Sequence, residues 1–335
     1  MAITGKDRIE AAFNGEKLDR QPVFLLLGGN YAEEAGYTFE EYLTKPEAAL
    51  ETVKYTCTKL DSDLLLVPFN PFMPDAQEAL RKKMGKAPGI KRDDIKEVLP
   101  KWKVRDPRDE RLFSAHLDVC GSAHEMFPEY YLQSLIGGPW SFAMELRGPN
   151  EALEDIYDDK QFLHDLMKFT TDTVIARCLA VVDLGIAPFL GDPSSGMSMI
   201  SPAVYREFVF PSHKQIIDAV HERGGRVIFH ICGFVEPIYE DLLSLGVDAL
   251  SIDAPSSLEK LFEVGRGKTT IIGNVDPILF VEGTWDQLKD QTQKCLDIAD
   301  GDPKYIIGPG CQIPVQANPE NIKHFVDYAH KNPAY

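Results

Sequence analysis

The stretch Arg226-Val-Ile-Phe-His-Ile-Cys-Gly233 is a short apolar run that ends where a glycine opens a loop. Runs of this kind, rich in β-branched residues, recur at 22–27, 63–67, 131–136, 187–190, 226–231, 249–252, 269–272 and 305–307. Each is short enough to be a buried parallel strand. Helical patterns lie between many of them, at 160–184, 202–223, 236–245 and 285–299. About eight strands that alternate with helices predict an α/β fold, a (β/α)8 TIM barrel.

The organisation along the chain favours one domain. A chain of 335 residues is long enough for a single barrel of this type, and no linker or low-complexity segment divides it. Residues 71–103 are irregular and of mixed charge, and we expect an insertion there. Residues ahead of the first strand are expected to form an N-terminal extension.

Composition excludes several classes of protein. The net charge of -17 argues against a nucleic-acid partner, whose phosphates would be repelled. No apolar run approaches the roughly 20 residues that cross a bilayer, and the N-terminus lacks the apolar core of a signal peptide. Six cysteines scattered over a long chain do not suggest a disulfide framework. We therefore expect a cytoplasmic protein with no membrane association.

Three residues form a candidate metal set. His230 and Cys232 end the opening stretch, and Cys311 lies in Tyr305-Ile-Ile-Gly-Pro-Gly-Cys-Gln-Ile-Pro314, again where a strand gives way to a loop. In a barrel of this type the loops after the strands build the active site. Three protein ligands leave one tetrahedral position of a zinc ion open, which is typical of a catalytic zinc.

Other polar residues fall at the ends of neighbouring strands. Asp253, Asn274 and Asp276 are candidate catalytic residues, and Asp192 is a candidate substrate contact. Each has a simpler interpretation. Asp253 could be a fourth metal ligand, an acceptor for the histidine or a loop cap, while Asn274 and Asp276 could shape the turn before Pro277.

Aromatic and methionine residues near the expected mouth of the barrel are candidates for the substrate wall. Tyr31, Phe69, Trp140 and Met144 stand out among them, and such a lining would suit an aryl methyl ether. Ordinary packing in the core or at the rim is the alternative for all four.

The C-terminal two thirds resemble a known family. The matching pieces, within residues 130–330, are 201–211, 229–233, 248–253, 273–277 and 308–314. They are similar to the uroporphyrinogen decarboxylase superfamily, and within it to the methyltransferases that act with corrinoid proteins, including those of coenzyme M and of O-demethylation. The resemblance implies a (β/α)8 barrel, with zinc bound by His230, Cys232 and Cys311. The N-terminal third matches only loosely.

Two departures separate the chain from the decarboxylases of this superfamily. The decarboxylases carry arginines after the first strand that bind porphyrin carboxylates, whereas this chain reads Leu26-Leu-Gly-Gly-Asn-Tyr31. They also carry a catalytic aspartate after the second strand, where this chain reads Leu66-Val-Pro-Phe-Asn-Pro-Phe72. Both departures argue against decarboxylation of a porphyrinogen.

The resemblance therefore predicts a zinc-dependent methyltransferase. The methyl group would move between a small molecule and the cobalt of a corrinoid (cobalamin) held by a separate protein, since the chain has no Asp-x-His-x-x-Gly run of its own. The small molecule is left open between a methoxy compound, such as an aryl methyl ether, and a thiol, such as coenzyme M. A zinc-dependent hydrolase or lyase, with Asp253 or Asp276 as base, is the alternative.

Overall fold

Seven parallel strands form one sheet in the part of the chain that the computed structural model describes, residues 3–67 and 90–332. Neighbours in the sheet follow chain order. The strands are β1 Leu64–Val67, β2 Tyr131–Gly137, β3 Ala187–Gly191, β4 Ile228–Ile231, β5 Ala249–Ile252, β6 Thr270–Ile272 and β7 Tyr305–Ile306. All their carboxyl ends therefore lie on one side of the fold.

Helices connect the strands and cover the outside of the sheet. They are α1 Gly5–Asn14, α2 Phe39–Thr44, α3 Pro46–Lys59, α4 Arg92–Val98, α5 Arg111–Met126, α6 Pro139–Arg147, α7 Pro149–Asp158, α8 Lys160–Val182, α9 Pro202–Val204, α10 Phe210–Glu222, α11 Tyr239–Ser244, α12 Leu258–Gly265, α13 Trp285–Ala299 and α14 Pro319–Lys331. A π-helical turn, Tyr205–Val209, joins α9 to α10. None of the helices in the described ranges is long and apolar enough to cross a membrane.

Local sequence signals explain several helix ends. Ser201 caps α9 by accepting a hydrogen bond from the backbone N–H of Val204, with Pro202 in the first helical position. Thr284 and Gln287 form a reciprocal capping box at the start of α13. The predicted bounds of α13 are confirmed, and α8 ends two residues before its predicted end.

The first predicted strand, at 22–27, is not a regular strand. Val23 pairs with Ile307 on one side, and Phe24 pairs with Leu64 on the other. Each of these pairings is a single residue long, too short for a ladder, so the prediction of eight regular strands is wrong in this position. The segment nevertheless connects the two edges of the sheet.

Asp63 ties this closing segment to β1. Its buried carboxylate accepts hydrogen bonds from the backbone N–H of Val23 at 2.9 Å and from the guanidinium groups of Arg8 at 3.0 Å and Arg20 at 2.9 Å. Three donors satisfy a charge that would otherwise be costly to bury.

Side chains alternate between the two faces of the sheet, so the hydrophobic core has two parts. The larger cluster lies between the strands and the helices, and the smaller one lies on the opposite face of the sheet. The smaller cluster includes Phe24, Leu64, Tyr131, Phe189 and Ile228. Of the predicted insertion at 71–103, residues 71–89 lie outside the described part of the chain. The rest contains α4 and a 3-10 turn, Leu99–Lys101.

Candidate metal centre

The candidate ligands converge at the carboxyl ends of the strands. The Nε2 atom of His230, on β4, lies 3.3 Å from the Sγ of Cys232, and that sulfur lies 3.6 Å from the Sγ of Cys311. All three ligand atoms lie within 4.8 Å of one another. One imidazole nitrogen and two sulfurs are a donor set typical of zinc sites. The three residues could therefore hold a metal ion, as the sequence predicts.

The loop that carries Cys311 is held close to its neighbours by a glycine. The N–H of Gly310 donates to the carbonyl of Val275 at 2.7 Å. A Cβ atom at Gly310 would lie only 2.5 Å from the backbone nitrogen of Ala254. The glycine before the cysteine thus permits a close approach of two backbones, which brings Cys311 over the end of β4.

Packing and hydrogen bonding orient the histidine. The Nδ1 atom of His230 lies 3.1 Å from the Oγ of Ser251, and its ring stacks on Phe189 at a centroid distance of 5.8 Å. These contacts leave Nε2 directed at the two sulfurs. A fixed partner on the second ring nitrogen is a common way to hold a metal-binding imidazole.

Hydrogen bonding shifts the pKa values of the Cys232 and Cys311 thiols in opposite directions. A hydrogen bond from Cys232, together with one from His230, lowers the pKa of Cys311. The same contact with Cys311, reinforced by burial, raises the pKa of Cys232. The contact therefore favours the thiolate form of Cys311 and the protonated form of Cys232.

A cavity of about 470 Å³ opens beside the three ligands. All three ligands line it, and Gln312 stands at its edge. The apolar part of its wall is formed by Leu27, Phe39, Leu43, Leu66, Leu112, Leu135 and Phe189, among others. Within the described residues no Lys, Arg, Asp or Glu lines this cavity. Its chemistry therefore suits a neutral, largely apolar molecule.

All three candidate catalytic residues form hydrogen bonds with the backbone of the loops around them. Asp253 accepts from the backbone N–H groups of Gly233 and Ala254, each at 2.7 Å, and burial raises its pKa. The side-chain amide of Asn274 donates to the carbonyls of Ser256 at 2.7 Å and of Asp253 at 3.2 Å. These contacts shape the loops that flank Cys232 and Cys311.

Asp276 lies farther along the same loop. Its carboxylate accepts from the backbone N–H of Ile278 at 2.9 Å and caps the 3-10 turn Pro277–Phe280. This is the turn-shaping arrangement considered from the sequence.

Asp192 is buried away from the cavity wall. Its carboxylate accepts from the backbone N–H groups of Trp140 at 3.1 Å and Ser141 at 2.8 Å, so it caps the start of α6. It also pairs with the Nε2 of His213 at 2.9 Å. Its own N–H donates to the carbonyl of His230 at 3.0 Å, which links it to the metal ligand through the backbone.

The remaining predicted substrate contacts do not meet in the cavity. Tyr31, Trp140 and Met144 are buried, and none of them lines it. Trp140 instead donates from its indole to the carbonyl of Ser194. Phe69 lies outside the described residues.

Residues 4–332 match the uroporphyrinogen decarboxylase (URO-D) family. The chain belongs to this family. It is 25% identical to a methylcobamide:CoM methyltransferase, MtbA, of Methanosarcina acetivorans, over 99% of each chain. It is 23% identical to a uroporphyrinogen decarboxylase of a Synechococcus species, over 96% of this chain and 92% of that protein. URO-D relatives of this chain thus include proteins named for two different reactions.

A solved structure has the same fold as this chain. A methyltransferase from Methanosarcina mazei superposes with a TM-score of 0.83 at 21% identity, covering 98% of this chain and 99% of that one. The agreement extends over almost the whole chain, so the parallel strands and the helices around them are those of this methyltransferase structure.

Several residues that line the cavity were not predicted from the sequence. Leu27 is the last residue of the closing segment and Gln312 follows Cys311, and their position beside a strand end was the available signal. Phe39 and Leu43 lie on α2, and Leu112 lies on α5. Helical leucines far from any motif carry no sequence signal that distinguishes a cavity wall from ordinary packing.

Proposed function

We propose that this protein transfers a methyl group between a small methylated molecule and the cobalt of a corrinoid carried by a separate protein, at a zinc site. The observation that carries the proposal is the convergence of His230, Cys232 and Cys311 on one wall of an apolar cavity. The similarity to a methylcobamide:CoM methyltransferase supports the same class of reaction.

In this proposal His230, Cys232 and Cys311 would hold zinc beside the cavity that all three of them line. When bound, zinc lowers the pKa of a thiol or polarises the oxygen of a methoxy group, so that the heteroatom can exchange a methyl group with cobalt. Cys232 and Cys311 both bind as thiolates, and the hydrogen bonds that acidify Cys311 favour the first deprotonation. Ser251 keeps the imidazole of His230 in its binding orientation.

Asp253 and Asn274 act in this proposal by positioning loops. Asn274 donates to two carbonyls of the loop that follows β5 and so holds that loop in place. Asp253, in the same loop, accepts from the N–H of Gly233 and so fixes the loop that follows β4. Because Gly233 directly follows Cys232, the chain of hydrogen bonds sets the direction of the Cys232 side chain. Asp276 contributes more remotely, through its turn.

The cavity favours a methoxy compound over an anionic thiol. Coenzyme M carries a sulfonate, and a buried anion needs a cationic or strongly hydrogen-bonding partner. The described lining offers leucines and aromatic rings and no cation. An aryl methyl ether would bury its ring against this wall and direct its methoxy oxygen at the zinc.

The alternative of a zinc-dependent hydrolase or lyase needs a general base near the metal. Neither Asp253 nor Asp276 lines the cavity beside the three ligands; Asp253 binds the backbone N–H groups of Gly233 and Ala254, and Asp276 caps its own turn. Porphyrinogen decarboxylation lacks support as well, because the lining within the described residues has no arginine for the substrate carboxylates.

Methyl transfer can be followed through the cobalt. Purified zinc-loaded protein is mixed with cob(I)alamin and a panel of methoxyarenes, or with methylcobalamin and a panel of thiols. The absorbance of the cobalamin reports formation or loss of the cobalt–methyl bond. We expect formation of methylcobalamin with at least one methoxyarene. No change of absorbance with either panel would contradict the proposed function.

A further inference from the structure

A second cavity, of about 320 Å³, lies at the opposite end of the sheet from the candidate metal centre. Tyr131, Leu132, Ala187 and Arg226 line it where β2, β3 and β4 begin, together with residues of α1 and of the end of α5. We call it the lower cavity. Arg226 and Cys232 are joined by a nearly extended stretch of chain, which puts about 20 Å between this cavity and the candidate ligands. Its volume is at the lower end of the range of about 300–1,000 Å³ that is usual for small-molecule sites.

The lower cavity contains polar groups that the protein itself does not satisfy. Within the described residues, the hydroxyl of Tyr131, the ammonium of Lys6 and the imidazole of His124 make no hydrogen bond or ion pair. Lys6 and His124 are exposed at the entrance, whereas Tyr131 is only 8% exposed. A buried hydroxyl without a partner is unfavourable, so it marks a position where an atom of a ligand is expected.

The charges on the wall favour an anion. Glu10 is the one acidic residue among the described residues that line the cavity, and it forms an ion pair with Arg226 at 3.0 Å. Arg226 is shared with Asp248 at 3.1 Å, so it is occupied on both sides. The ammonium of Lys6 is left as the uncompensated charge of the wall, in a chain whose net charge is -17. A cation beside a hydroxyl donor attracts a negatively charged group.

The hydroxyl of Tyr131 is a donor at neutral pH. Burial, followed by the carboxylate of Glu10, raises the pKa of Tyr131. The phenol therefore stays protonated and has a hydrogen to give to an acceptor in the cavity.

The remaining wall is apolar and aromatic. Phe127, Leu132 and Ile186 are buried there, and the ring of Tyr130 is partly buried beside them. These side chains offer a surface on which a flat ring can be buried. The lower cavity thus combines one cation and one hydroxyl donor with a site for a single ring.

Packing holds the polar groups in place before any ligand binds. The ring of Tyr131 meets the edge of Phe13 at a centroid distance of 5.3 Å, and the guanidinium of Arg226 lies 5.2 Å from the centre of the Phe13 ring. At the entrance, Gly185 has a φ of 73°, and a Cβ there would lie 3.1 Å from the Cε1 of His124. Glycine therefore lets the imidazole lie against the turn before β3. Fixed side chains of this kind lose little entropy when a ligand binds.

We propose that the lower cavity is a binding site for a small aromatic carboxylate. Its carboxylate would accept from the hydroxyl of Tyr131 and pair with the ammonium of Lys6. Its ring would pack against Phe127, Leu132 and Ile186. A neutral ring would leave the cation and the hydroxyl unmatched, and a short aliphatic acid would leave the apolar wall uncovered. The site is separate from the candidate metal centre and does not depend on the proposed function.

Calorimetric titration of the purified protein with benzoate, benzamide, acetate and inorganic phosphate tests the chemistry of the ligand. Benzamide has the shape of benzoate without its charge, whereas acetate and phosphate have charge without a ring. We expect benzoate to bind about fivefold or more tightly than any of the other three. Absence of saturable benzoate binding, or equal affinity for benzoate and any of the others, would overturn the proposal.

Two variants test the place of binding. We expect Tyr131→Phe to weaken benzoate binding about tenfold and Lys6→Gln about threefold. Tyr131→Phe removes only a hydroxyl that has no partner among the described residues, so the fold should be retained. Tyr157→Phe, at an 82% exposed position on α7, and Lys17→Gln, at an exposed position beyond the end of α1, are the matched controls, since neither residue lines the cavity. An unchanged affinity in Tyr131→Phe or in Lys6→Gln would refute the site.

A carboxylate could also bind to zinc, and the Cys311→Ala variant separates that event from binding in the lower cavity. Cys311 lies at the opposite end of the sheet and lines the other cavity. We therefore expect Cys311→Ala to bind benzoate as tightly as the unchanged protein does. Loss of benzoate binding in this variant would place the ligand at the metal centre and would exclude the lower cavity.

Discussion

The Nδ1 atom of His230 lies 3.1 Å from the Oγ of Ser251, its register partner on the neighbouring strand. Strand pairing between β4 and β5 therefore places the group that orients the imidazole. The opposite ring nitrogen is left to face Cys232 at 3.3 Å. One register contact thus connects the sheet to the geometry of the candidate ligands.

Ser251→Ala should weaken zinc binding without unfolding the protein. Loss of the hydroxyl frees the imidazole to rotate, and removal of such an outer partner typically costs about tenfold or more in metal affinity. Competition with a chromogenic chelator measures the change. Ser244→Ala is the control, because Ser244 bonds only to a nearby carbonyl on exposed α11. An unchanged affinity would show that Ser251 does not orient the histidine.

Cys311→Ala should abolish stoichiometric zinc. The variant keeps only His230 and Cys232 as protein ligands, which is too few for a stable zinc site. We therefore expect its zinc content to fall from about one per chain to a small fraction. Elemental analysis after dialysis gives the ratio. Cys57→Ala should retain its zinc, because Cys57 is a half-buried cysteine of α3 outside the candidate set. Full zinc in Cys311→Ala would disprove the site.

Leu43→Lys should shift the choice of small molecule. The side chain is half exposed and lines the cavity, so an ammonium there can reach solvent and also face the substrate. We expect KM for a methoxyarene to rise several-fold and binding of coenzyme M to tighten about threefold. Calorimetric titration and the cobalamin absorbance assay measure these effects. Met126→Lys, at an exposed position on α5, should leave both unchanged.

Asp63→Asn should destabilise the fold. The carboxylate is fully buried between Arg8, Arg20 and the N–H of Val23. Removing its charge leaves Arg8 and Arg20 with only their more exposed carboxylate partners, Asp19 and Asp61, and breaking such a buried pair costs about 3–5 kcal/mol. Urea unfolding followed by circular dichroism gives the value. Asp61→Asn is the control, because this exposed partner of Arg20 should contribute less than about 1 kcal/mol.

Mild acid should reduce stability partly through His330. Burial, followed by the nearby charge of Arg20, lowers its pKa from 6.5 to about 4. The folded state therefore binds this proton only at a lower pH than the unfolded state does. The contribution of the neutral His330 to the free energy of unfolding is full above pH 6.5 and is lost as the pH falls toward 4. His330→Gln should flatten the fall in unfolding free energy over this interval. His324→Gln, at an exposed position of the same helix, controls for the change of residue type. Identical slopes for unchanged protein and His330→Gln would contradict the assignment.

The strands and the ligand set follow from the sequence because both depend on local patterns. An apolar run ending in a glycine loop predicts a strand with its functional residue at the carboxyl end, and His230, Cys232 and Cys311 satisfy that pattern. The same logic finds Asp253 and Asn274 at strand ends, although their hydrogen-bond partners depend on how the loops fold back.

The cavity wall could not be predicted in the same way. Trp140 and Met144 follow β2 in sequence, yet α6 turns them into the core, where Asp192 caps the helix. Leu43 and Leu112 reach the cavity from helices whose orientation depends on long-range packing. The closing segment at 22–27 also reads as a full strand, because sequence pattern does not reveal that it pairs with its neighbours only through isolated bridges.

The sheet is closed by contacts between segments that are far apart in the sequence, and this separation affects the order in which the site is assembled during synthesis. Asn30 donates to the carbonyl of Pro314, 284 residues away, and Leu27 pairs with Ile313 in the same region. Contacts of such separation form slowly, because a long loop must close before they are rewarded. Cys311 therefore joins His230 and Cys232 only when nearly the entire chain has left the ribosome, and until then a nascent chain lacks one of the three candidate ligands.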